Sequence, residues 1–345
     1  MRRPLLLGLI AGGLAFVILV VVGVVLAVSV LARNDALADL RAASTALAEV
    51  VDESESAVAE ADDVIAIAAD PLLPVDAVAA VTAERDAAAD ALEGAGPLLT
   101  ADPEPLDTDR IRALSSDVRA EANALRDDDD LVRAALLNLA GATRETASTV
   151  ENANFSAENL PHLAFRDAVA DLALVDESSV AESLLGFLDA AHALEASHAE
   201  EIAEKAGPLL DRRLTVEEFA RSIAGGVLLE FDWAVTVNGY GTGGSYGGTS
   251  YWQSADGGYA TITLSDSVAT MWPGAGVQSL VVHEVGHAIL SKCTDLFFGT
   301  EYESGGEEPW ATAWAIGMGY TADGNGESIY GRPSDALIQL STQCR

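Results

Sequence analysis

Five consecutive residues, His283-Glu284-Val285-Gly286-His287, hold the densest chemistry in the chain. Residues four apart share one face of an α-helix, so both imidazoles can reach a single metal ion. Glu284 stands beside them, where its carboxylate can polarise a water. The chain contains only five His. From its own His and Glu frequencies this pattern arises by chance in about 0.005 of shuffled sequences, so coincidence is a poor explanation. The bland alternative is a helix bearing two surface or cap histidines. Against it, Pro273-Gly274 precedes a stretch in which Val277, Leu280, Val281, Val285, Ala288 and Ile289 form an apolar face. That places the motif mid-helix, where a buried imidazole pair without a ligand is costly.

Two imidazoles leave a tetrahedral zinc ion short of one protein ligand and a water. No His follows His287, and Leu290 and Cys293 stand where a short-linker continuation would put Gly and a third His. Carboxylates remain. Glu307 and Glu308 lie 20 and 21 residues beyond His287, in Gly305-Gly306-Glu307-Glu308-Pro309-Trp310-Ala311-Thr312. Their alternative role is an acidic N-terminal turn complementing a helix dipole, with Pro309 at the first helical position.

At these residues the chain resembles the gluzincin branch of the zincin metallopeptidases, whose third ligand is a Glu on a second helix. The resemblance covers roughly the last 140 residues and rests on the His-Glu motif and this Glu. Glu308, with Ala311 three residues on, fits the family spacing better than Glu307, which stays open as the alternative. Thr312 departs from the pattern, standing where the family has an Asp bonded to a ligand His. A threonine hydroxyl can accept that bond but raises the basicity of the ring less. The resemblance implies Zn²⁺ on His283, His287 and Glu308, with Glu284 as general base in peptide hydrolysis. Tyr330, Tyr320 and Arg332 are candidates, by position only, for stabilising the oxyanion.

The elements that must position these residues begin near Pro208, where the texture of the sequence changes. Val227 to Val237 alternates apolar and polar residues and reads as a half-buried strand. A Gly-rich loop, Asn238 to Gly258, follows. Gly239, Gly241 and Gly244 match a dinucleotide-binding pattern formally, but no βαβ unit accompanies them, and a cleft rim is the better reading. Tyr259 to Leu264 reads as a second strand, and by the resemblance an exposed edge that pairs with extended substrate. The stretch from Tyr330 to Arg345 reads as a last helix. All five Trp lie beyond residue 207, which puts the main core there.

At the other end, Pro4 to Ala32 carries no charge and is long enough to cross a bilayer. Arg2 and Arg3 precede it and predict a cytoplasmic N-terminus. A cleaved signal is the alternative, though its apolar core is normally about half as long. Cys293 and Cys344, the only cysteines, suit one disulfide in an oxidising compartment. Cys293 as a zinc ligand is the competing idea, but it falls off the ligand face.

Residues 34–206 carry 38 Asp and Glu against 10 Lys and Arg, and residues 207–345 carry 16 against 6. Such a surface excludes nucleic acid and argues against peripheral binding to anionic lipid. Leu37, Leu40, Leu47, Val51, Val58, Ala61, Ile65 and Ala68 fall on alternating three- and four-residue steps with Ser44 and Ser54 filling the gaps, and Ile111, Leu114, Val118, Ala122 and Leu125 behave likewise. Pro71, Pro74, Pro97, Pro103, Pro105, Pro161 and Pro208 are expected to cut this segment into hairpin-length helices. Asp127–Asp130 is expected to mark a solvated connection or a helix start, and His162, His192 and His198 are expected on the surface.

The sequence thus predicts a transmembrane anchor over 1–33, an all-α helical-bundle or coiled-coil stalk over 34–206, and a small α+β zincin-like domain over 207–345. A membrane-anchored, extracytoplasmic zinc peptidase acting on peptide or protein is the expected function, and the heptad pattern permits self-association through the stalk. Two alternatives stand beside it: a catalytically degenerate zinc-binding envelope protein, and a zinc amidase acting on cell-wall material.

Overall fold

A computed structural model describes the backbone from residue 4 to residue 345 and side chains from residue 16 onward; Arg2 and Arg3 lie outside the described residues. The chain divides into two compact units, residues 1–145 with 172–185, and residues 146–171 with 186–345.

The first unit is helical. Helix α1 runs unbroken from Pro4 to Ala66, α2 from Val75 to Leu99, and α3 from Thr108 to Ala153, its last turns belonging to the second unit. The described part of α1 begins with a stretch of mean hydropathy 2.8, none of it buried, long and apolar enough to cross a membrane. Beyond it Ala36, Leu40, Ala43, Leu47, Val50, Ser54, Ala57, Ala61 and Val64 are buried, on strictly alternating steps of four and three. Leu40, Leu47, Ser54 and Ala61 lie on the expected seam, while its alternate positions shift by one residue, to Ala36, Ala43, Val50, Ala57 and Val64. Alanines 36, 43 and 57 point inward, while Leu37 and Val51 pack only partly against the core. Small residues at the seam let helix backbones approach closely, so the bulkier neighbours flank the contact. From α3 the same core takes Ile111, Val118, Ala122 and Leu125, and from α2 it takes Ala95.

Three expectations fail here. Pro97 lies inside α2, and Pro161 lies inside α4 (Asn159–Asp171). Pro161 is the third residue of its helix, where the missing N–H has no intrahelical partner to lose. Asp127–Asp130 sits in the middle of α3 rather than at a connection. Asp129 falls at a seam position, is buried, and is neutralised by Arg133 at 2.8 Å.

The second unit holds the end of α3, α4, most of α5 (Val180–Glu204), and all that follows: α6 (Leu210–Ile223), β1 (Leu228–Ala234), β2 (Gly248–Gln253), β3 (Tyr259–Ser265), α7 (Asp266–Met271), α8 (Ala275–Leu290), α9 (Thr294–Phe297), α10 (Glu307–Gly317), α11 (Glu327–Tyr330) and α12 (Asp335–Ser341). Residues 146–171 and 186–206, which the sequence groups with the stalk, thus join the unit that carries the sheet. Polar bonds explain it. The backbone N–H of Asn159 donates to Glu230 Oε2 at 2.7 Å, and its side-chain amide donates to the Ala260 carbonyl at 3.0 Å. Lys205, 3 % exposed at its side chain, meets Glu201 at 2.8 Å and the fully buried Glu217 at 3.3 Å. Glu217 also accepts from the Trp233 indole and pairs with Arg221. His162 is buried beside Glu151 rather than on the surface as expected, His198 is half-buried and accepts from the Ser156 N–H, and His192 is exposed as expected.

The sheet is mixed, in the order β1-β3-β2. Strand β1 pairs with β3 in parallel from Leu228↔Tyr259 to Ala234↔Ser265, and β2 pairs with β3 antiparallel from Gly248↔Leu264 to Gln253↔Tyr259. Two corrections follow. The stretch expected as one Gly-rich loop contains β2, and β3, expected as the exposed edge, is the central strand. The edge beside α8 is β2. Leu229, Phe231, Ala260, Ile262 and Leu264 turn one sheet face into a core shared with α8 and with Trp310 and Trp314 of α10. Every residue of α8 from Val281 to Leu290 is buried, as suits a helix that is apolar nearly all round. The Cys293–Cys344 disulfide forms, and ties the residues after α8 to the tail after α12. The Trp314 indole donates to the Cys344 carbonyl at 3.1 Å, which fixes that tail under α10.

Candidate metal centre

The centre is made where α8 crosses α10. The crossing is close because Gly286 has no side chain: a Cβ there would lie 2.9 Å from the Ala311 Cα and 3.0 Å from its carbonyl oxygen. One helical turn before Ala311, Glu308 projects its carboxylate at both imidazoles. Its Oε2 is 3.0 Å from His283 Nε2 and 3.2 Å from His287 Nε2. One donor atom from each of the three lies within 4.8 Å of the others, an arrangement that could hold a metal ion.

The donor chemistry fits a cation. His283 Nδ1 lies 3.0 Å from the Asn325 backbone oxygen, and a carbonyl can only accept. Nδ1 therefore carries a proton, and in a neutral ring Nε2 presents a bare lone pair to a carboxylate oxygen. Two acceptors at that distance repel unless a proton or a metal ion neutralises them. The two imidazoles hold the Glu308 carboxyl well below the usual range against the opposing effect of burial. For His287, burial opposes the charged form, but Glu308, Glu284 and Glu307 together outweigh it and raise the ring above its ordinary value.

Glu284 is buried with the two rings, and burial pushes its carboxyl up while both imidazoles pull it down. The β2 edge lies directly upon it. A Cβ at Gly248 would fall 2.6 Å from Glu284 Oε1, so only glycine lets the strand pass there. Glu307, the alternative ligand, is engaged elsewhere: its Oε2 accepts from the Trp252 indole at 2.9 Å and stands 4.0 Å from His287 Nδ1. It faces the outer nitrogen of a ligand ring, not the point where the three donors converge.

The oxyanion candidates separate cleanly. Tyr330 stacks parallel to the His283 ring, centroids 6.1 Å apart and planes 8° apart. Burial, then the charge and hydrogen bond of Glu308, push its phenol up to about 12. Tyr320 packs against Phe219, and Arg332 is exposed with Asp335 and Glu327 as its partners. Neither reaches the centre. Thr312 does not carry the bond expected of it: its hydroxyl is buried without a partner, and the Asn325 carbonyl takes the His283 proton instead.

A cleft of about 410 Å³ opens over His283 and Glu284. The Gly-rich loop forms one wall, with Tyr240 and Tyr246, and the segment Asp323 to Tyr330 forms the other. The Tyr246 hydroxyl donates to the Asp323 carbonyl at 2.9 Å and joins the walls. Sequence reasoning missed Asn325, Tyr240, Tyr246 and Gly248. Only Gly248 left a signal, as one more glycine in a loop full of them. Comparison with protein-family models, curated proteins and solved structures returns no match to this chain.

Proposed function

We propose that this protein is a membrane-anchored zinc peptidase. The observation that carries the reading is the convergence of His283, His287 and Glu308 on one point, with the buried Glu284 carboxylate beside it. Two imidazoles and one carboxylate are a donor set suited to zinc, and they leave a position open. Bound there, zinc supplies Lewis acidity, activating water for attack and polarising the carbonyl under attack.

The chain's own residues do the rest. Glu284 accepts the proton of the attacking water and passes it to the leaving amine. Its burial suits the first half of that task, since desolvation raises the carboxyl and so makes the carboxylate a stronger base toward the proton of the water. Tyr330 donates from its hydroxyl to the oxygen that gains negative charge, and a phenol pushed up to about 12 stays protonated through the working range. Strand β2 pairs with β3 on one side only, so its other edge offers backbone N–H and C=O groups to an extended peptide. With Gly248 pressed on Glu284, a peptide lying along that edge passes over the centre.

The anchor is the apolar part of α1, with the N-terminus inside and the catalytic unit outside the cytoplasm, where the disulfide is stable. Tyr330 and the Asn325 carbonyl supply the oxyanion donor and the ring partner that a degenerate binding protein would lack, and so favour the enzyme.

The test measures zinc in the full-length chain purified in detergent beside Glu308→Ala and Glu284→Gln, then assays all three on an unstructured protein and on cell-wall fragments. About one zinc per chain, lost in Glu308→Ala and kept in inactive Glu284→Gln, is the expected result. Wild-type activity in Glu284→Gln sinks the mechanism. Cleavage of wall fragments alone makes the protein an amidase.

A further inference from the structure

The segment from Asp323 to Tyr330 does more than wall the cleft. Asn325 is buried, 2 % exposed, although it lies in a loop. Its side chain uses both ends: Nδ2 donates to the Tyr320 carbonyl at 3.2 Å, and Oδ1 accepts from the Glu327 N–H at 3.0 Å. These bonds clamp the loop on either side of one peptide group, whose carbonyl accepts from His283 Nδ1 at 3.0 Å. Gly326 completes the fit. It has φ +90°, and a Cβ there would strike Thr312 Oγ1 at 2.4 Å and His283 Cε1 at 2.7 Å. The loop backbone is therefore packed onto the edge of the ring.

Resting on the metal-centre reading, we propose that Asn325 is the positioning residue for His283. By clamping its own carbonyl onto Nδ1, it fixes the tautomer that turns Nε2 toward the metal. Helix α10 supplies no such partner, because the Thr312 hydroxyl is unpartnered. A partner of this kind fixes ring orientation, and its loss typically weakens metal binding about 10–100-fold. The arrangement also couples chemistry to the cleft. The loop that holds the His283 proton carries Asp323, which Tyr246 grips, and Tyr330, which stacks on the same ring.

The experiment takes the full-length chain in detergent, strips its metal, and titrates zinc against a competing chelator. Asn325→Ala should weaken zinc roughly 10–100-fold, while Asn325→Ser, which keeps an acceptor for the Glu327 N–H, should lie between it and wild type. On metal-free protein, ¹⁵N spectra of the histidines should show His283 protonated at Nδ1 in wild type and mixed between its two nitrogens in Asn325→Ala. A purely structural loop would leave that ring signal unmoved. Asn325→Ala that binds zinc within about twofold of wild type, with the His283 tautomer unchanged, overturns the proposal. Should Asn325→Ala fail to fold, Asn325→Ser takes its place in both measurements: weaker zinc with a mixed tautomer supports the clamp, and wild-type behaviour in both overturns it. A wild-type chain that takes no zinc defeats the metal reading instead, and the metal-free spectra still decide what Asn325 does.

Discussion

Gly286→Ala is the sharpest probe of how the centre is built. In an exposed helix the change should stabilise, because alanine is better than glycine there by about 1 kcal/mol. Here the new methyl carbon would sit 2.9 Å from the Ala311 Cα and 3.0 Å from its carbonyl oxygen. Carbon atoms in contact need about 3.5–4.0 Å, so α10 must retreat by roughly 0.6–1 Å at Ala311. Overpacking of this kind costs about 1–3 kcal/mol, which outweighs the propensity gain. The net expectation is a destabilisation of up to about 2 kcal/mol, read from denaturant unfolding. Metal binding should suffer more than stability. Glu308 stands one turn from Ala311, and ligand distances tolerate only about 0.2 Å. We expect zinc affinity to fall at least ~10-fold in the same chelator titration. A Gly286→Ala chain more stable than wild type by about 1 kcal/mol, with unchanged zinc affinity, would refute the close crossing as the device that aims Glu308.

Three further outcomes are expected. Glu307→Ala should keep about one zinc per chain and lose at most ~10–100-fold in affinity, since Glu307 faces the outer nitrogen of His287 and bonds Trp252; loss of metal as complete as in Glu308→Ala would reverse the ligand assignment. Replacing Cys293 and Cys344 together by Ala opens a loop of 51 residues and should cost about 4 kcal/mol in unfolding free energy, with less than ~1 kcal/mol showing that the tail is already held by packing. Glu151 is held below its ordinary value chiefly by its hydrogen bond with His162, then by Arg166, against burial. A depressed carboxyl contributes stability that is full above its unfolded pKa and is lost as pH falls through the lower folded value, so melting temperature should drop below about pH 4.5 in wild type. Glu151→Gln should flatten that part of the profile, and an unaltered slope would remove Glu151 from the account.

What the sequence makes legible follows from where each interaction is encoded. His283, Glu284 and His287 can be read because helix geometry turns a spacing of four into a shared face. Glu308 can be read because it lies a short way downstream, in a segment with its own helix signals. Strand β2 resists because Gly-Thr-Ser-Tyr-Trp-Gln has no apolar alternation; its pairing with β3, which no local pattern encodes, makes it a strand. Every other position of the α1 seam is offset by one residue for a related reason. Choosing Leu37 over Ala36 assumes that the larger residue faces inward, whereas a close contact selects the smaller. The limits of the second unit escaped because they depend on Asn159 meeting Glu230 and Lys205 meeting Glu217, pairs formed only in three dimensions.

Asn325 shows why the outer half of a site is harder to read than its ligands. The group that acts on His283 is a backbone carbonyl, which every residue possesses, so residue type at that position cannot announce it. What the sequence can specify is the clamp: an amide that donates to Tyr320 and accepts from Glu327, followed by a glycine able to take φ +90° against the ring. Thr312 points the same way. Read alone, it suggests a weakened centre, because the side chain expected to hold a histidine is missing. Read with the Asn325 loop, the missing bond has moved from a side chain on α10 to a carbonyl on the cleft wall. A carbonyl polarises the ring less than a carboxylate would, but it belongs to the loop that walls the cleft. On the proposed function, occupation of the cleft and orientation of His283 would then be coupled through one short loop. The order of zinc affinities among wild type, Asn325→Ser and Asn325→Ala should therefore be repeated in the ability of each variant to cleave peptide at saturating zinc.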